Sequence, residues 1–431
     1  MSVSNPKTTL LISPIKELIS PRSNDYNPIL GQAMNNVNII KNGAIAVSDH
    51  KILAVGTAEA VNQEIKVDEN TQIINAQNNL VIPGFVDPHT HLVFAGNRAN
   101  EFVQRNLGKT YQEIAALGGG ILHTVAKTRD ASLDNIIELG LNRLKLMLAT
   151  GTTTCEVKTG YGLDTISELK LLEAILKLNK LQQIDLIPTF MPAHAIPVGS
   201  TETEYTNEII NKMLAPAKKL ICDYYDINKP YFTDVFCDQG YFGKASTINI
   251  MKKYLADGFQ GKIHANEFVN LNVVPDASKL GIKSFDHMLN VNDSDIKALK
   301  NSSSIAVLLP GTSFFLNLES HAPARKLIEN SVAVAIGSDF NPGSCHIFSM
   351  PFIFGLACLK LKMTPQEVLT ATTYNAACAV GAQAYVGQID IGFNADINIL
   401  NLESLEEIPY NLAINPISQV IKNGKVVYTN K

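Results

Sequence analysis

The run Pro83-Gly84-Phe85-Val86-Asp87-Pro88-His89-Thr90-His91 sets two imidazoles two residues apart. In extended chain such residues point to the same side, so His89 and His91 face one way and Thr90 the other. Two imidazoles so placed can share one divalent cation. Alone the tripeptide is weak, because an isolated histidine is more often an ordinary surface or core residue. The same residue types recur, however, in Lys262-Ile263-His264-Ala265-Asn266-Glu267, in Ser284-Phe285-Asp286-His287 and in Gly337-Ser338-Asp339-Phe340, each closing an apolar run. Satisfied core histidines explain any one of these, but not all of them ending strands at one rim. Together they predict a single metal held by His89, His91, His264 and Asp339, with His287 and Glu267 beside it.

That set suits hydrolysis. An open position on a bound cation lowers the pKa of water from near 16 to roughly 7, which makes hydroxide available at neutral pH. Asp339 can bind the metal and take the water's proton. His287 can hydrogen-bond the attacking water or steady a developing oxyanion, and Glu267 can accept and return protons at a substrate nitrogen. Three imidazoles and a carboxylate suit zinc and iron alike, so the expected cofactor is one divalent ion per chain, zinc or iron.

Residues that meet at one rim need strands to carry them there. Eight strand candidates are readable: Leu80–Val86, Thr152–Val157, Asp185–Phe190, Thr233–Cys237, Lys262–Ala265, Ser284–Asp286, Ile305–Leu309 and Val332–Gly337. Amphipathic segments separate them. Ser132 can cap one in which Ile137, Leu141, Leu144 and Leu148 share a face and which Gly151 stops, and another carries Leu169, Leu172, Ile175 and Leu176. Eight parallel strands with helices between them predict an α/β fold, a (β/α)8 TIM-like barrel whose site lies at the C-terminal strand ends. The flanks read differently. Val37–Gly56 is β-rich and broken by the hairpin signals Asn42-Gly43 and Ser48-Asp49-His50, and Ala395–Leu402 and Gln419–Tyr428 repeat that character around Asn423-Gly424. The two flanks are expected to pair into a small β-sandwich, giving 1–79 and 382–431 as its halves and 80–381 as the barrel. Ser13–Asn36, rich in Pro, Ser and Asn, reads as a polar insertion or loop.

The balance of 36 basic against 40 acidic residues leaves a net charge of -4, with no basic run longer than a pair of lysines, so a nucleic-acid or anionic-membrane surface is not expected. No stretch approaches the roughly 18 apolar residues of a membrane span, and no signal peptide is evident. The 6 cysteines are scattered without a Cys-x-x-Cys. A reducing cytoplasm is the compartment expected.

The histidines on strands one, five and six with the aspartate on strand eight resemble the amidohydrolase superfamily. More narrowly, DPHTHLVFAG (Asp87–Gly96), LGGGILHTVAKTR (Leu117–Arg129), GTTTCEVKTGYG (Gly151–Gly162), FMPAHAIP (Phe190–Pro197), LLPGT (Leu308–Thr312) and SDFNPGS (Ser338–Ser344) resemble the imidazolonepropionase family. The similarity runs from about Leu80 to Gly381. It implies hydrolytic ring opening of 4-imidazolone-5-propanoate to N-formimidoyl-L-glutamate, the third step of histidine breakdown. By motif position it puts the family's zinc or iron on His89, His91, His264 and Asp339. Substrate contacts fall on Arg98, Tyr161, His194 and Glu267, and product-side contacts on Asn341, Gly343 and Ser344. The propionate is an anion, which Arg98 would meet with a planar fork. One departure stands out: the family reads His-Ala-Asp-Glu and then a Gly-Gly loop, whereas here Asn266 precedes Glu267 and no paired glycine follows. Little catalytic effect is expected of Asn266, while the loop from Phe268 to Asp276 would shape the pocket differently.

Away from the resemblance, Arg98 reads as a solvated loop arginine, Tyr161 as a turn tyrosine between glycines and His194 as a structural strand-end histidine. Gly118-Gly119-Gly120 matches no nucleotide fingerprint, and Cys345-His346 is a coincidental pair. Lys158 follows the second strand, whereas the carboxylated lysine that bridges two metals in some amidohydrolases is expected further round the barrel. It is therefore read as pairing near the site. Two other functions compete. A nucleobase aminohydrolase would use the same metal set, and Arg98 argues against it; a catalytically silent scaffold would be free to lose ligands, and none is missing. Homodimers occur among such barrels, but nothing in these residues shows one.

Overall fold

The computed structural model describes residues 7–109, 113 and 119–430. Four strands open the chain: β1 (Leu10–Ser20), β2 (Asn38–Ser48), β3 (Lys51–Thr57) and β4 (Gln72–Pro83). Eight follow: β5 (Phe85–Asp87), β6 (Thr152–Lys158), β7 (Asp185–Ala193), β8 (Phe232–Cys237), β9 (Gln260–Ala265), β10 (Ser284–His287), β11 (Ile305–Leu308) and β12 (Ala333–Ile336). Three close it: β13 (Ile397–Leu400), β14 (Ile417–Lys422) and β15 (Lys425–Thr429).

Strands β5 to β12 form an 8-stranded sheet in sequence order, with every pairing parallel. Parallel order requires a crossover after each strand, and helices supply it. Leu133–Ala149 is one, with the hydroxyl of Ser132 accepting from the amide of Asn135 as its cap. Its most buried face runs through Ile136, Gly140, Leu144 and Met147, one residue round from the expected stripe of which Ile137, Leu141 and Leu148 are half-buried. Thr165–Leu181, capped by Asp164, buries Leu172, Ile175 and Leu176 against the strands. The opposite end of the barrel from the site is filled by Val86, Phe232, Ile305 and Ala333, packed on the helix Tyr374–Ala379.

The ring closes just beyond β5 and β12. There Thr90 bridges Phe340 in parallel register, the amide of Asp339 donates to the carbonyl of His89 at 3.0 Å, and that of His91 to Phe340 at 2.9 Å. Asp87 reinforces the seam by accepting from the amide and hydroxyl of Ser338 at 3.0 and 2.5 Å.

Both flanks join one 7-stranded mixed sheet in the order β15-β14-β13-β4-β1-β2-β3. It curls so that the start of β3 meets the segment leading into β13, with Lys51 bridging Asn394, and encloses Leu10, Ile12, Ile45, Ile52, Val81, Ile397, Ile399 and Ile421. This is the sandwich-like unit that the two β-rich flanks predict. Asp49-His50 and Asn423-Gly424 are its hairpin turns, with Asp49, Asn423 and Gly424 at φ of 53°, 50° and 74°.

Three expectations are corrected. Leu80–Val86 is two strands, since β4 lies in the flanking sheet and only β5 in the barrel. Asn42-Gly43 lies within β2 and is no hairpin turn. Ser13–Ser20 is no polar loop but most of β1, which sits between β4 and β2. Its register shifts between Ile12 and Ile15, so the buried Ile12, Ile15, Leu18 and Ile19 break the period of two by which a strand is read.

Candidate active site

His89 and His91 leave the end of β5, His264 sits near the end of β9, His287 is the last residue of β10, and Asp339 lies just beyond β12. All are buried. Ligand-type atoms of His89, His91 and His264 lie within 4.8 Å of one another, as do those of His89, His287 and Asp339. His91 Nε2 is 3.3 Å from His264 Nε2, and Asp339 Oδ1 is 3.5 and 3.7 Å from Nε2 of His89 and His91. Burial, then the neighbouring cationic groups, depress the pKa of each of the four imidazoles well below the usual histidine value, so they are neutral and offer lone pairs. Among the described residues, the buried Nε2 of His89 has no hydrogen-bond partner. Neutral nitrogens converging on one point with a carboxylate are a donor set that fits a divalent cation. His287 stands as near this centre as Asp339.

Strain gathers at the same place. His287 and Asp339 adopt φ of 76° and 53°, a left-handed region that side chains avoid. Asn266 does so too at 58°, and its amide reaches away to Asp295 at 3.0 Å. Asparagine tolerates that conformation, which gives this position a backbone reason for its residue type.

Behind the imidazoles lies a layer of buried charge. Asp286 Oδ2 meets His89 Nδ1 at 2.6 Å, and Asp234 Oδ2 stands 3.0 Å from His264 Nδ1, outside hydrogen-bond alignment. Lys158 Nζ lies 2.7 Å from Glu156, 2.8 Å from Asp234 and 3.6 Å from Asp286. Burial opposes its charge, but the carboxylates of Asp234, Glu156 and Asp286 outweigh it and hold the ammonium protonated. Lys158 thus pairs near the site, and an ammonium has no lone pair with which to form a carbamate. Lys262 donates to the Pro88 carbonyl at 3.2 Å and lies 3.6 Å from Asp286. Sequence reasoning assigned no role to Asp234, Asp286, Glu156 or Lys262. A signal was present: Glu156 and Lys158, Lys262 and His264, and Ser284 and Asp286 are each spaced by two on parallel strands, which otherwise read as apolar runs.

On the mouth side, Tyr161 and His194 approach the cluster. His194 stacks on His91 with ring centroids 4.7 Å apart, Tyr161 lies edge-on to His194 at 5.2 Å, and burial lowers the His194 pKa to about 4. Glu267 Oε2 is 3.6 Å from His287 Nε2. Burial first, then the charge of Asp339, raise the Glu267 pKa well above the usual carboxylate range, while burial pushes Asp339 up to about 7 against its bond from Thr312. Arg98 is fixed by Glu101, which accepts from its Nε at 2.7 Å and from the Gly120 amide at 2.9 Å. A Cβ on Gly343 would fall 1.9 Å from Nη1 of Arg98, so only glycine lets this loop lie against the guanidinium. Asn341 builds the loop, accepting from the amides of Gly343 and Ser344 at 2.8 and 2.7 Å and donating to the Asp339 carbonyl at 2.7 Å. Arg98, Tyr161, His194, Glu267, Asn341, Gly343 and Ser344 are thus all described, whereas Leu117 and Gly118 of the LGGG motif lie outside the described residues.

Residues 285–427 match the model of the Amidohydrolase family. The chain is 42% identical over 402 residues to the imidazolonepropionase of Symbiobacterium thermophilum, covering 93% of each chain. It is 39% identical over 421 residues to that of Alkaliphilus metalliredigens, covering 97% of each, and 42% identical over 409 residues to that of Chloroflexus aggregans, covering 93% of this chain and 94% of the relative. Among solved structures, a zinc-bound adenosine deaminase from Xanthomonas campestris superposes with a TM-score of 0.71 at 17% identity, covering 98% of this chain and 93% of that one. A triazine hydrolase variant does so with a TM-score of 0.75 at 15% identity, covering 98% and 95%. At that identity the superpositions speak for the fold alone.

Proposed function

The chain belongs to the imidazolonepropionase family, and from that premise we propose that its barrel mouth hydrolyses the ring amide of 4-imidazolone-5-propanoate to give N-formimidoyl-L-glutamate. The observation that supports the reading is the convergence of ligand-type atoms of His89, His91 and His264, and of His89, His287 and Asp339, each set within 4.8 Å. Arg98, held by Glu101, lies against the Gly343 loop that follows Asp339. A zinc or iron ion on His89, His91, His264 and Asp339, one per chain, would supply the Lewis acidity that brings the pKa of water to roughly 7.

The protein's own groups divide the rest. Arg98, its Nε occupied by Glu101, turns the remainder of its fork to the propionate. Tyr161 and His194 bracket the flat ring. Asp339 accepts the proton of the attacking water, as a carboxylate placed beside it can. His287 steadies the carbonyl oxygen as the new carbon–oxygen bond forms. Glu267, whose pKa burial raises, hands a proton to the ring nitrogen as the carbon–nitrogen bond breaks. Of the water's two protons one passes to Asp339, which releases it to solvent, and the other leaves the new carboxyl group to restore Glu267, whose own proton is on the freed nitrogen. Asn341, Gly343 and Ser344 line the product side. No helix among the described residues is long and apolar enough to cross a membrane, and the free state of all the cysteines suits a reducing cytosol.

The test is loss of imidazolone absorbance on adding metal-loaded protein, repeated after chelation and after readdition of zinc or iron. Activity that survives full chelation would remove the metal from the reaction. Release of ammonia from nucleobases with an inert imidazolone would replace the reading by deamination.

A further inference from the structure

Between β6 and the helix Thr165–Leu181 the chain passes through Thr159-Gly160-Tyr161-Gly162-Leu163, and this turn is held by a group that the mechanism does not use. Glu168, on the first turns of that helix, is fully buried. Its Oε2 accepts from the Gly160 amide at 3.0 Å, and its Oε1 from the amides of Gly162 and Leu163 at 2.6 and 2.9 Å. The Thr159 side chain also bonds to it. Three amides of one turn converging on one carboxylate form an anion nest made by the chain around its own side chain.

The turn cannot keep this shape unaided. Gly160 has φ of 117°, and Leu163, which carries a side chain, has φ of 52°. A Cβ on Gly160 would meet His194 Nδ1 at 2.7 Å, and one on Gly162 would meet the Glu168 amide at 2.5 Å. The turn is therefore compressed between Glu168 on one side and His194 on the other. The Gly160 carbonyl lies 3.0 Å from His194 Nδ1, so the same peptide segment that Glu168 grips also fixes the orientation of that ring. Tyr161 is carried on the turn's crest. Both rings that bracket the proposed substrate thus sit on or against a turn held by Glu168, whose hydrogen bonds go to that turn and not to the histidine cluster.

We propose that Glu168 is a positioning residue for substrate recognition, holding the 159–163 turn so that Tyr161 and His194 meet the imidazolone ring. The inference rests on the function proposed above and extends it. Removing the acceptor leaves buried amides unpaired, which relaxes the turn rather than the metal cluster.

The test compares wild-type protein with Glu168→Gln, which keeps the shape but turns an amide N–H toward backbone donors, and Glu168→Asp, which keeps the charge one methylene short. Metal per chain, kcat, KM and the ring-nitrogen resonances of His194 are measured in each. The expected result for E168Q is a KM raised about tenfold or more with kcat less affected, an unchanged metal content and a shifted His194 resonance, with E168D between it and wild type. KM within twofold of wild type and an unmoved His194 resonance in both variants would overturn the proposal, as would loss of metal in parallel with KM or failure of both variants to fold. A wild-type protein inert toward the imidazolone would sink the functional reading instead, and the His194 resonance would still judge Glu168.

Discussion

The amide of Asp339 donates to the carbonyl of His89 at 3.0 Å, so the bond that closes the barrel also sets the distance between two ligands of the proposed metal. Asp87, fully buried, ties the same seam by accepting twice from Ser338. Removing it in Asp87→Ala leaves buried donors unpaired, at about 1–3 kcal/mol. It also frees the spacing of His89 and Asp339, which weakens metal binding by about 10–100-fold. Urea unfolding and competition with a chelator read the two effects. A destabilised variant that holds its metal as tightly as wild type would show that the seam does not set the site.

Lys158 makes a second prediction. Its ammonium faces Glu156, Asp234 and Asp286, all fully buried in the barrel. Lys158→Met would leave Glu156 and Asp234 without their nearest counter-charge, with Lys262 paired to Asp286 at 3.6 Å, a loss on the order of 3–5 kcal/mol. Urea midpoints measure it, and a change below about 1 kcal/mol would mean that the neighbouring carboxylates take up protons and need no lysine.

Proton transfer is assigned to carboxyls whose pKa burial has raised. Glu267→Gln keeps the hydrogen-bonding outline but cannot supply a proton, so kcat falls by about 10²–10⁴ with KM little changed. Asp339→Asn loses both a ligand and the base, and turnover disappears with part of the metal. Steady-state rates alongside metal analysis separate the two, and a fully active D339N protein would exclude Asp339 from the mechanism.

Much of this was legible in the sequence, for physical reasons that differ from residue to residue. Barrel strands such as β11 and β12 show as apolar runs because they are buried on both faces, and the histidines and Asp339 that converge at the rim show because strand ends carry them. Lys158 could be read as a pairing residue but its partners could not, since Asp234 and Asp286 lie on other strands and are brought together only by the ring. β1 escaped because its bulge at Ile12–Ile15 and its lysine and glutamate hide the buried residues between polar ones. Glu168 escaped because its partners are backbone amides, which leave no mark in a sequence beyond the glycines at 160 and 162.

The role proposed for Arg98, meeting the propionate rather than the reacting bond, puts it on affinity rather than chemistry. Arg98→Lys keeps the charge but loses the planar fork and the bond from Nε to Glu101, and KM is expected to rise about tenfold or more with kcat retained. Glu101→Gln should move KM in the same direction by less. A fall in kcat at constant KM in either variant would place the arginine at the reacting bond instead.

The last prediction concerns pH. Burial raises the Glu168 pKa from the usual 4.5 to about 7, against the pull of its hydrogen bonds. A carboxyl whose pKa is higher folded than unfolded favours the folded state while protonated. That contribution is full below about 4.5 and is lost as pH rises through about 7. Glu168→Gln cannot ionise and has no such dependence. The stability of wild type minus that of E168Q, both stripped of metal so that acid release of the ion does not intrude, should therefore decline between pH 4.5 and pH 7.5. The size of the decline is on the order of 3 kcal/mol. Urea unfolding at a series of pH values measures it, using the variant as its own reference for every other titrating group. A difference that stays flat would mean that Glu168 titrates as in the unfolded chain. A difference that grows with pH would mean that the amides of Gly160, Gly162 and Leu163 stabilise the carboxylate by more than burial disfavours it.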